Sequence, residues 1–175
     1  MLSQDYGPAE WHPADDHNYS GVKFREPISK IVVHVSGGSA ASAAHTFQDP
    51  NREASYHYLI DFDGTPWQFV RERAVAYHCG WWNWNQRSIG VGLAGSLTSN
   101  NDKTDGMYKS LARLIARLSL KDDIPIDRKH INGHYQAPGC SGNGGGFTCH
   151  TDPGEGFRWR FLLSQARKFR REMNS

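Results

Sequence analysis

The sequence has few cysteines, no long hydrophobic run and little excess charge of either sign, and each shortage excludes a class of protein. Three cysteines in 175 residues do not make the disulfide framework of a small secreted domain. No stretch approaches the roughly 18 consecutive apolar residues of a membrane span, so we expect no membrane insertion. The formal charge is +2, with 20 Lys and Arg against 18 Asp and Glu. Such a balance lacks the basic stripe of a nucleic-acid-binding protein, and we expect no nucleic-acid partner.

The N-terminus lacks the basic and apolar regions of a signal peptide, so we expect no signal-dependent export. A length of 175 residues suits a single domain with a sizeable core. Within it, residues 1–29 show no sustained period and predict an irregular arm lying over the domain. Residues 30–175 carry the regular patterns and predict the domain proper.

Alternating strand and helix patterns predict an α/β fold. Strands are expected at 30–36, 55–62, 67–70 and 88–93, because these runs are rich in β-branched and aromatic residues. Helices are expected at 39–48, 105–118 and 157–169, from their alanine content or their apolar spacing. The pattern predicts one domain with a central mixed β-sheet flanked by helices. The two glycines in the 88–93 strand indicate a close approach by another backbone.

Metal-type ligands occur at the end of the first strand and again near residues 134–152. His34 ends a buried strand, while His134 and Asp152 flank a glycine-rich loop. Two imidazoles and a carboxylate are a ligand set that catalytic zinc uses, with a fourth position left open. Cys149 and His150 are rival candidates for the third ligand, and spacing alone does not choose among them.

The glycine-rich loop is bracketed by Cys140 and Cys149. A disulfide between them would remove Cys149 from the ligand candidates, but reduced thiols are equally compatible with the sequence. This alternative stays open at the level of the sequence.

A polar and aromatic segment between residues 78 and 87 is a candidate substrate-binding loop. Several tryptophans so close together are hard to bury at once, so some are expected to face a groove. The alternative is a loop held together by its own tryptophans. The candidates for substrate contact are His78, Trp82, Trp84, Asn85 and Arg87.

Seven short motifs occur in order: IVVHVS (31–36), SYHYLI (55–60), DG (63–64), HCG (78–80), NQRSIGV (85–91), GH (133–134) and TDPG (151–154). Together they resemble the type 2 family of N-acetylmuramoyl-L-alanine amidases, which includes phage endolysins and is similar to peptidoglycan recognition proteins. The resemblance runs from about Trp11 to the C-terminal helix. The resemblance implies a zinc site of His34, His134 and Asp152, with one Zn²⁺ per chain. It makes residues 30–175 the amidase catalytic domain.

Two departures from the family pattern direct attention to other residues. Many members carry a glutamate, thought to act as a base, where this chain has Gly92. Members without it resemble this chain at Tyr56, whose hydroxyl is expected to orient the attacking water or to hydrogen-bond the oxyanion. His150 stands where relatives often have lysine, and it is expected to stabilise the tetrahedral oxyanion.

The resemblance implies hydrolysis of the amide between N-acetylmuramic acid and L-alanine in bacterial peptidoglycan. The simplest role is the catalytic domain of a phage endolysin, which waits in the host cytoplasm before lysis and then acts at the cell wall. A bacterial autolysin domain is the nearest variant, and a non-catalytic peptidoglycan recognition module is the alternative. We expect a monomer.

Overall fold

The computed structural model describes residues 1–3, 5–138 and 150–175, and its centre is a six-stranded mixed sheet in the order β1-β5-β4-β7-β3-β8. The β4–β5 pair is antiparallel and the other neighbours in this sheet are parallel. A separate antiparallel pair joins β2 to β6. The strands are β1 (Glu10–Trp11), β2 (Tyr19–Ser20), β3 (Lys30–Val35), β4 (Tyr58–Ile60), β5 (Pro66–Gln68), β6 (Val75–Ala76), β7 (Ser88–Leu93) and β8 (Ile131–Gly133).

The two longest strands, β3 and β7, lie side by side in the middle of the sheet. Their pairing runs from Lys30 opposite Ser88 to Val35 opposite Leu93. Both are nearly continuous apolar runs, as expected for parallel strands covered on both faces. The β4–β5 hairpin turns at Gly64, whose φ of +88° favours glycine. The predicted mixed α/β sheet is therefore confirmed.

Within the described residues, four α-helices accompany the sheet: α1 (Ala40–Gln48), α2 (Trp82–Arg87), α3 (Asp105–Lys121) and α4 (Trp159–Met173). Ser39 and Thr104 cap α1 and α3, each accepting a hydrogen bond from a backbone N–H three residues on. The apolar face of α3 is fully buried, and α3 packs against α4, β4 and β7. Three helices lie where the sequence predicts them, whereas α2 falls in the segment interpreted as a loop.

The first 29 residues form more local structure than an irregular arm. They contribute β1 at the edge of the large sheet and β2 in the small one, and they bury Ala9 and Ala14 in the core. The division of the chain at residue 29 stays a prediction. Among the described residues, no helix is both long enough and apolar enough to cross a membrane.

The short strand β8, which the sequence patterns did not indicate, has a positioning role. It pairs in parallel with β3, so the carboxyl ends of the two strands meet at one edge of the sheet. Val33 lies opposite Gly133, and each is followed by a histidine. The topology therefore brings two imidazoles from distant parts of the sequence to one place.

Candidate metal centre and cleft

His34 and His134 lie next to each other because their strands are in register. Their ring centroids are 4.4 Å apart, and both side chains are buried. Gly133 permits this arrangement, since a Cβ there would lie 2.4 Å from the Tyr135 ring and 2.9 Å from Pro153. The absence of a side chain at residue 133 thus lets the segment around Pro153 close over the end of β8.

Asp152 completes the group and is tied to both strands. Its Oδ2 accepts a hydrogen bond from the Val35 N–H at 3.2 Å, and its backbone oxygen accepts one from the Tyr135 N–H at 3.1 Å. The carboxylate lies 3.5 Å from His34 Nδ1 through Oδ2 and 3.1 Å from His134 Nδ1 through Oδ1. His34, His134 and Asp152 therefore form a compact buried set of three donors.

This set fits a tetrahedral metal ion such as zinc. Donors about 2.0–2.1 Å from zinc are separated by roughly 3.3 Å along the edge of a tetrahedron, close to the separations of His34 and His134 from Asp152. Two buried nitrogens, His34 Nδ1 and His134 Nε2, have no hydrogen-bond partner in the described part of the chain. Buried polar atoms are normally paired, so an unpartnered nitrogen beside a carboxylate suits a site that takes a cation.

Electrostatics favours the protonation states that a cation requires. Burial, followed by the effect of His134, lowers the pKa of His34 to about 4, although Asp152 opposes the shift. Burial acts to raise the pKa of Asp152, but the nearby His134 and His34 imidazoles outweigh this and hold that pKa well below the usual range. At neutral pH the site therefore presents a neutral imidazole at His34 and an ionised carboxylate.

Tyr56 lies flat against the first of these imidazoles. Its ring stacks on His34 with a centroid distance of 4.6 Å and an interplanar angle of 21°. Burial raises the Tyr56 pKa, and Asp152 raises it further, so the phenol keeps its proton. A Cβ at Gly92 would lie 2.9 Å from the Tyr56 ring, so a side chain at residue 92 and this ring position exclude each other.

His150 covers the other side of the donor set. Its ring stacks on His134 at 3.6 Å, and its Nδ1 is 4.0 Å from Asp152 Oδ1. The side chain is partly exposed, and burial, followed by the influence of His134, lowers its pKa. His150 thus borders the group that holds Asp152. Cys149, the other rival ligand, lies outside the described residues, as do Cys140 and their suggested disulfide.

A cavity of about 610 Å³ opens beside the donor set. His134, His150 and Tyr56 line its inner end, and α1 contributes Phe47 to its wall. Toward solvent the lining is more polar and includes Arg52, Glu53 and Tyr77. The cleft combines an apolar wall with a few polar groups, the usual character of a ligand site.

The five candidate substrate residues are placed very differently. Trp82 is 44% exposed and lines a neighbouring hollow with Glu53 and Tyr77. Trp84 packs against the Lys30 side chain, and Arg87 precedes Ser88, so both lie at the amino end of β3 and β7. His34 lies four residues further along, or roughly 13 Å. Of Trp82, Trp84 and Arg87, Trp82 is therefore the one placed beside the cleft.

Two of those candidates are buried and make internal bonds. Asn85 Oδ1 accepts from the backbone N–H groups of His78 and Cys79, at 3.2 and 2.9 Å. His78 is only 4% exposed, and its Nδ1 lies 3.0 Å from His34 Nε2. Direct substrate contact by either residue stays a prediction, and the observed bonds are to the site's own scaffold.

Sequence reasoning missed three residues in this scaffold: Cys79, Ser88 and Gly90. Ser88 Oγ lies 3.1 Å from His78 Nε2, and Cys79 Sγ lies 3.1 Å from His78 Nδ1. A Cβ at Gly90 would lie 2.5 Å from the His78 ring. The glycines of β7 were thus rightly interpreted as close-approach positions, but the groups that approach are the His78 and Tyr56 rings, not a backbone.

A second group of metal-type atoms combines His34 with His78 and Cys79. Its separations of 3.0 and 3.1 Å are hydrogen-bond distances. With sulfur about 2.3 Å from zinc, the edge from sulfur to a nitrogen ligand is roughly 3.5 Å, well above the 3.1 Å between Cys79 Sγ and His78 Nδ1. Burial raises the Cys79 pKa, so the sulfur is a thiol and a weak donor. The set containing Asp152 is the better metal site.

Comparison with known proteins gives this geometry a family. The family model described as N-acetylmuramoyl-L-alanine amidase matches residues 24–155, about three quarters of the chain. The chain belongs to this amidase family. It is 29% identical over 172 residues to N-acetylmuramoyl-L-alanine amidase A of Achromobacter lyticus, covering 89% of this chain and 91% of that relative. Membership gives the chain a peptidoglycan amidase activity, as the resemblance implied.

Solved structures of similar fold include other amidases. The crystal structure of a selenomethionine derivative of AmpD is 25% identical, with a TM-score of 0.72 over 94% of this chain and 98% of that one. The solution structure of the PlyG catalytic domain has 21% identity and a TM-score of 0.69, over 93% and 94% of the two chains. The amidase fold therefore accounts for nearly the whole chain.

Proposed function

We propose that this amidase is a zinc enzyme that hydrolyses the amide between N-acetylmuramic acid and L-alanine, with the metal held by His34, His134 and Asp152. The observation that carries the proposal is the donor set itself. A buried, unpartnered His34 Nδ1 faces an ionised Asp152 at 3.5 Å, beside the His134 imidazole and at the inner end of a cleft. Bound zinc would polarise the scissile carbonyl and activate water.

The chain's own residues would stabilise the negative oxygen that forms when water adds to the amide carbonyl. Water adds its oxygen to the lactyl carbonyl carbon, the C–N bond breaks, and the amine of L-alanine leaves with a proton. Tyr56 keeps its phenol proton and lines the cleft, so it can donate a hydrogen bond to the oxygen that becomes negative. His150, on the opposite side of His134, offers a second donor for the same oxygen.

Recognition of bacterial peptidoglycan would use the outer part of the cleft. Trp82 presents an exposed aromatic surface that suits stacking on a sugar or peptide. Arg52, on the cleft wall, could pair with a carboxylate of the stem peptide. We assign Trp82 and Arg52 to substrate binding, and we propose bacterial peptidoglycan as the partner that they contact.

In the cell, we propose that the chain is the catalytic domain of a phage endolysin. A bacterial autolysin domain would need the same site, so the proposal about the reaction does not depend on this choice. A non-catalytic recognition module is the competing function. The complete donor set argues against it, because such a module gains nothing from an open metal position.

The test is a digestion of purified peptidoglycan, analysed by mass spectrometry, with native protein, with a zinc chelator and after zinc is restored. We expect stem peptides with free L-alanine amino termini and intact glycan strands. Both products should be lost with chelator and return with zinc. Glycan cleavage would overturn the proposed bond specificity, and full activity after verified metal removal would overturn the zinc site. Peptidoglycan binding without cleavage would favour the recognition module.

A further inference from the structure

A chain of hydrogen bonds runs from the metal donor set into the core behind it. It links His34 Nε2 to His78 Nδ1 at 3.0 Å, His78 Nε2 to Ser88 Oγ at 3.1 Å, and Ser88 Oγ to the Trp84 backbone oxygen at 2.5 Å. His34 and Ser88 have no exposed surface, and His78 has almost none. Water therefore has little access to these bonds.

The direction of every bond in this chain follows from its last member. A backbone carbonyl can only accept, so the single hydroxyl proton of Ser88 goes to Trp84 O. Ser88 Oγ must then accept from His78, which places the His78 proton on Nε2. The buried His78 ring has no carboxylate among its contacts in the described part of the chain, so it is neutral and its Nδ1 is an acceptor.

The same logic reaches the metal site. Because His78 Nδ1 accepts, His34 Nε2 must donate and carries the ring proton, while His34 Nδ1 has no hydrogen-bond partner in the described residues. His34 Nδ1 is left with a bare lone pair, directed to within 3.5 Å of Asp152 Oδ2. A lone pair facing a carboxylate is the arrangement that a cation between them requires.

We propose that His78 and Ser88 are positioning residues that fix the His34 tautomer, so that the protein presents an unprotonated Nδ1 to the metal before the metal arrives. This inference rests on the proposed zinc site. Ligating histidines usually donate their second N–H to a carboxylate or carbonyl. In this protein the acceptor is a neutral histidine, whose own tautomer is set by a hydroxyl.

Two further features hold this relay in place. Gly90 leaves room for the His78 ring on the face of β7. Asn85 Oδ1 accepts from the N–H groups of His78 and Cys79 and so fixes the backbone that carries the ring. The Cys79 thiol also reaches His78 Nδ1, but a thiol is a much weaker donor than the His34 N–H. The relay therefore needs His78, Ser88 and the space at Gly90, but not the sulfur.

The test measures zinc affinity by competition with a chromophoric chelator, on full-length variants whose folding is checked by circular dichroism. Ser88→Ala is expected to weaken zinc binding about tenfold, and His78→Leu by about 10- to 100-fold. His78→Gln should recover much of the loss, because its amide oxygen can accept from His34 and its NH₂ can donate to Ser88. Gly90→Ala should weaken binding by displacing the His78 ring, whereas Gly21→Ala, at an open position, should not.

Cys79→Ala separates the relay from the second group of metal-type atoms. We expect zinc affinity to stay within about twofold of the native value, since only a weak rival donor is removed. A loss as large as that of His78→Leu would overturn the relay, because it would show that His34, His78 and Cys79 hold the metal.

A second readout does not depend on metal. Long-range ¹H–¹⁵N spectra of the histidine rings, with and without zinc, should show the proton of His78 on Nε2 and that of His34 on Nε2. The opposite tautomer of His78 in the metal-free protein would overturn the relay. If the native chain bound no zinc, the proposed zinc enzyme would fail while these spectra still decided the relay. If it bound zinc and Ser88→Ala and His78→Leu bound it as tightly, only the relay would fail.

Discussion

The two faces of the central sheet each carry a buried carboxylate, and the two are balanced in different ways. His34, Gly92 and Leu59 lie in register and share the cleft face, whereas Tyr58, next to Leu59, projects from the opposite face. On the cleft face, Asp152 meets the imidazoles of His34 and His134. On the opposite face, Glu72 is 1% exposed and is matched by cations of the protein itself.

The Glu72 carboxylate has a full set of partners. Oε1 accepts from the Tyr58 hydroxyl at 2.6 Å and pairs with Arg117, while Oε2 lies 2.5 Å from Lys121 Nζ. Its charge is therefore compensated without a ligand, and its role is structural. Asp152 has no comparable protein cation in contact in the described part of the chain. The comparison teaches that a buried carboxylate indicates a metal site only where no cation of the protein balances its charge.

The largest effect is expected at Asp152, the buried carboxylate that no protein cation balances. Asp152→Asn keeps the shape of the side chain but removes the charge, so zinc binding should be lost and amidase activity should fall by roughly 10³-fold or more. Metal content measured by mass spectrometry and peptidoglycan digestion rates check this. Asp123→Asn, at a fully exposed side chain, is the matched control and should retain both properties. Native zinc content in Asp152→Asn would break the comparison.

Substitution of Glu72, the carboxylate paired with protein cations, should lower stability instead of activity. Glu72→Leu leaves Arg117 and Lys121 without their shared anion, and we expect a loss of about 3 kcal/mol in the free energy of unfolding. This is the lower end for a broken buried pair, because both cations are partly exposed. Denaturant unfolding measures the loss, and kcat of the remaining folded protein should stay near native. A loss of activity without a loss of stability would contradict the structural role.

Two tyrosines sharpen the contrast further. Tyr56→Phe preserves the stacking on His34 but removes the hydroxyl, so kcat should fall about 10²-fold while stability changes little. Tyr58→Phe removes a hydrogen bond to Glu72, and should cost about 1.5–3 kcal/mol of stability while kcat is unchanged. Kinetics and thermal unfolding on both variants should give opposite patterns. Identical patterns would mean that the two faces are not functionally distinct.

The smallest effect is expected at His150. Its Nδ1 is 4.0 Å from Asp152, too distant to compensate the carboxylate, so His150→Ala should change zinc affinity by less than about threefold. The rate should still drop by roughly tenfold if the imidazole donates to the oxyanion. His45→Ala, at an exposed position on α1, serves as the control. A large loss of zinc would make His150 part of the donor set.

The sequence allowed the central strands, three helices and the family to be predicted, because each leaves a local pattern or a motif. The three-residue β8 and the six-residue α2 leave almost none: α2 has the sequence WNWNQR, without strong helix formers apart from Gln86 and Arg87. Tertiary packing forms both elements.

The candidate site follows the same division. His34 and its partners could be proposed because metal-ligating residue types in family motifs are distinctive. Ser88 and Gly90 could not be connected to His34 from the sequence. Their roles depend on the His78 ring, which packs against the face of β7. For the same reason, the sequence did not show that Asn85 and His78 bond within the scaffold, and their contact with substrate stays a prediction.

The pairing of Val33 with Gly133 has a consequence for how this enzyme can change its length. Side chains on a strand alternate between faces, so one residue inserted within β8 would turn the His134 side chain to the opposite face of the sheet. The same insertion in the exposed segment 21–24, which precedes β3, would leave the donors where they are. Insertions and deletions are therefore an independent probe of the centre: the chain should accept them in exposed segments that do not contact the donors and lose metal when a single one falls in β8.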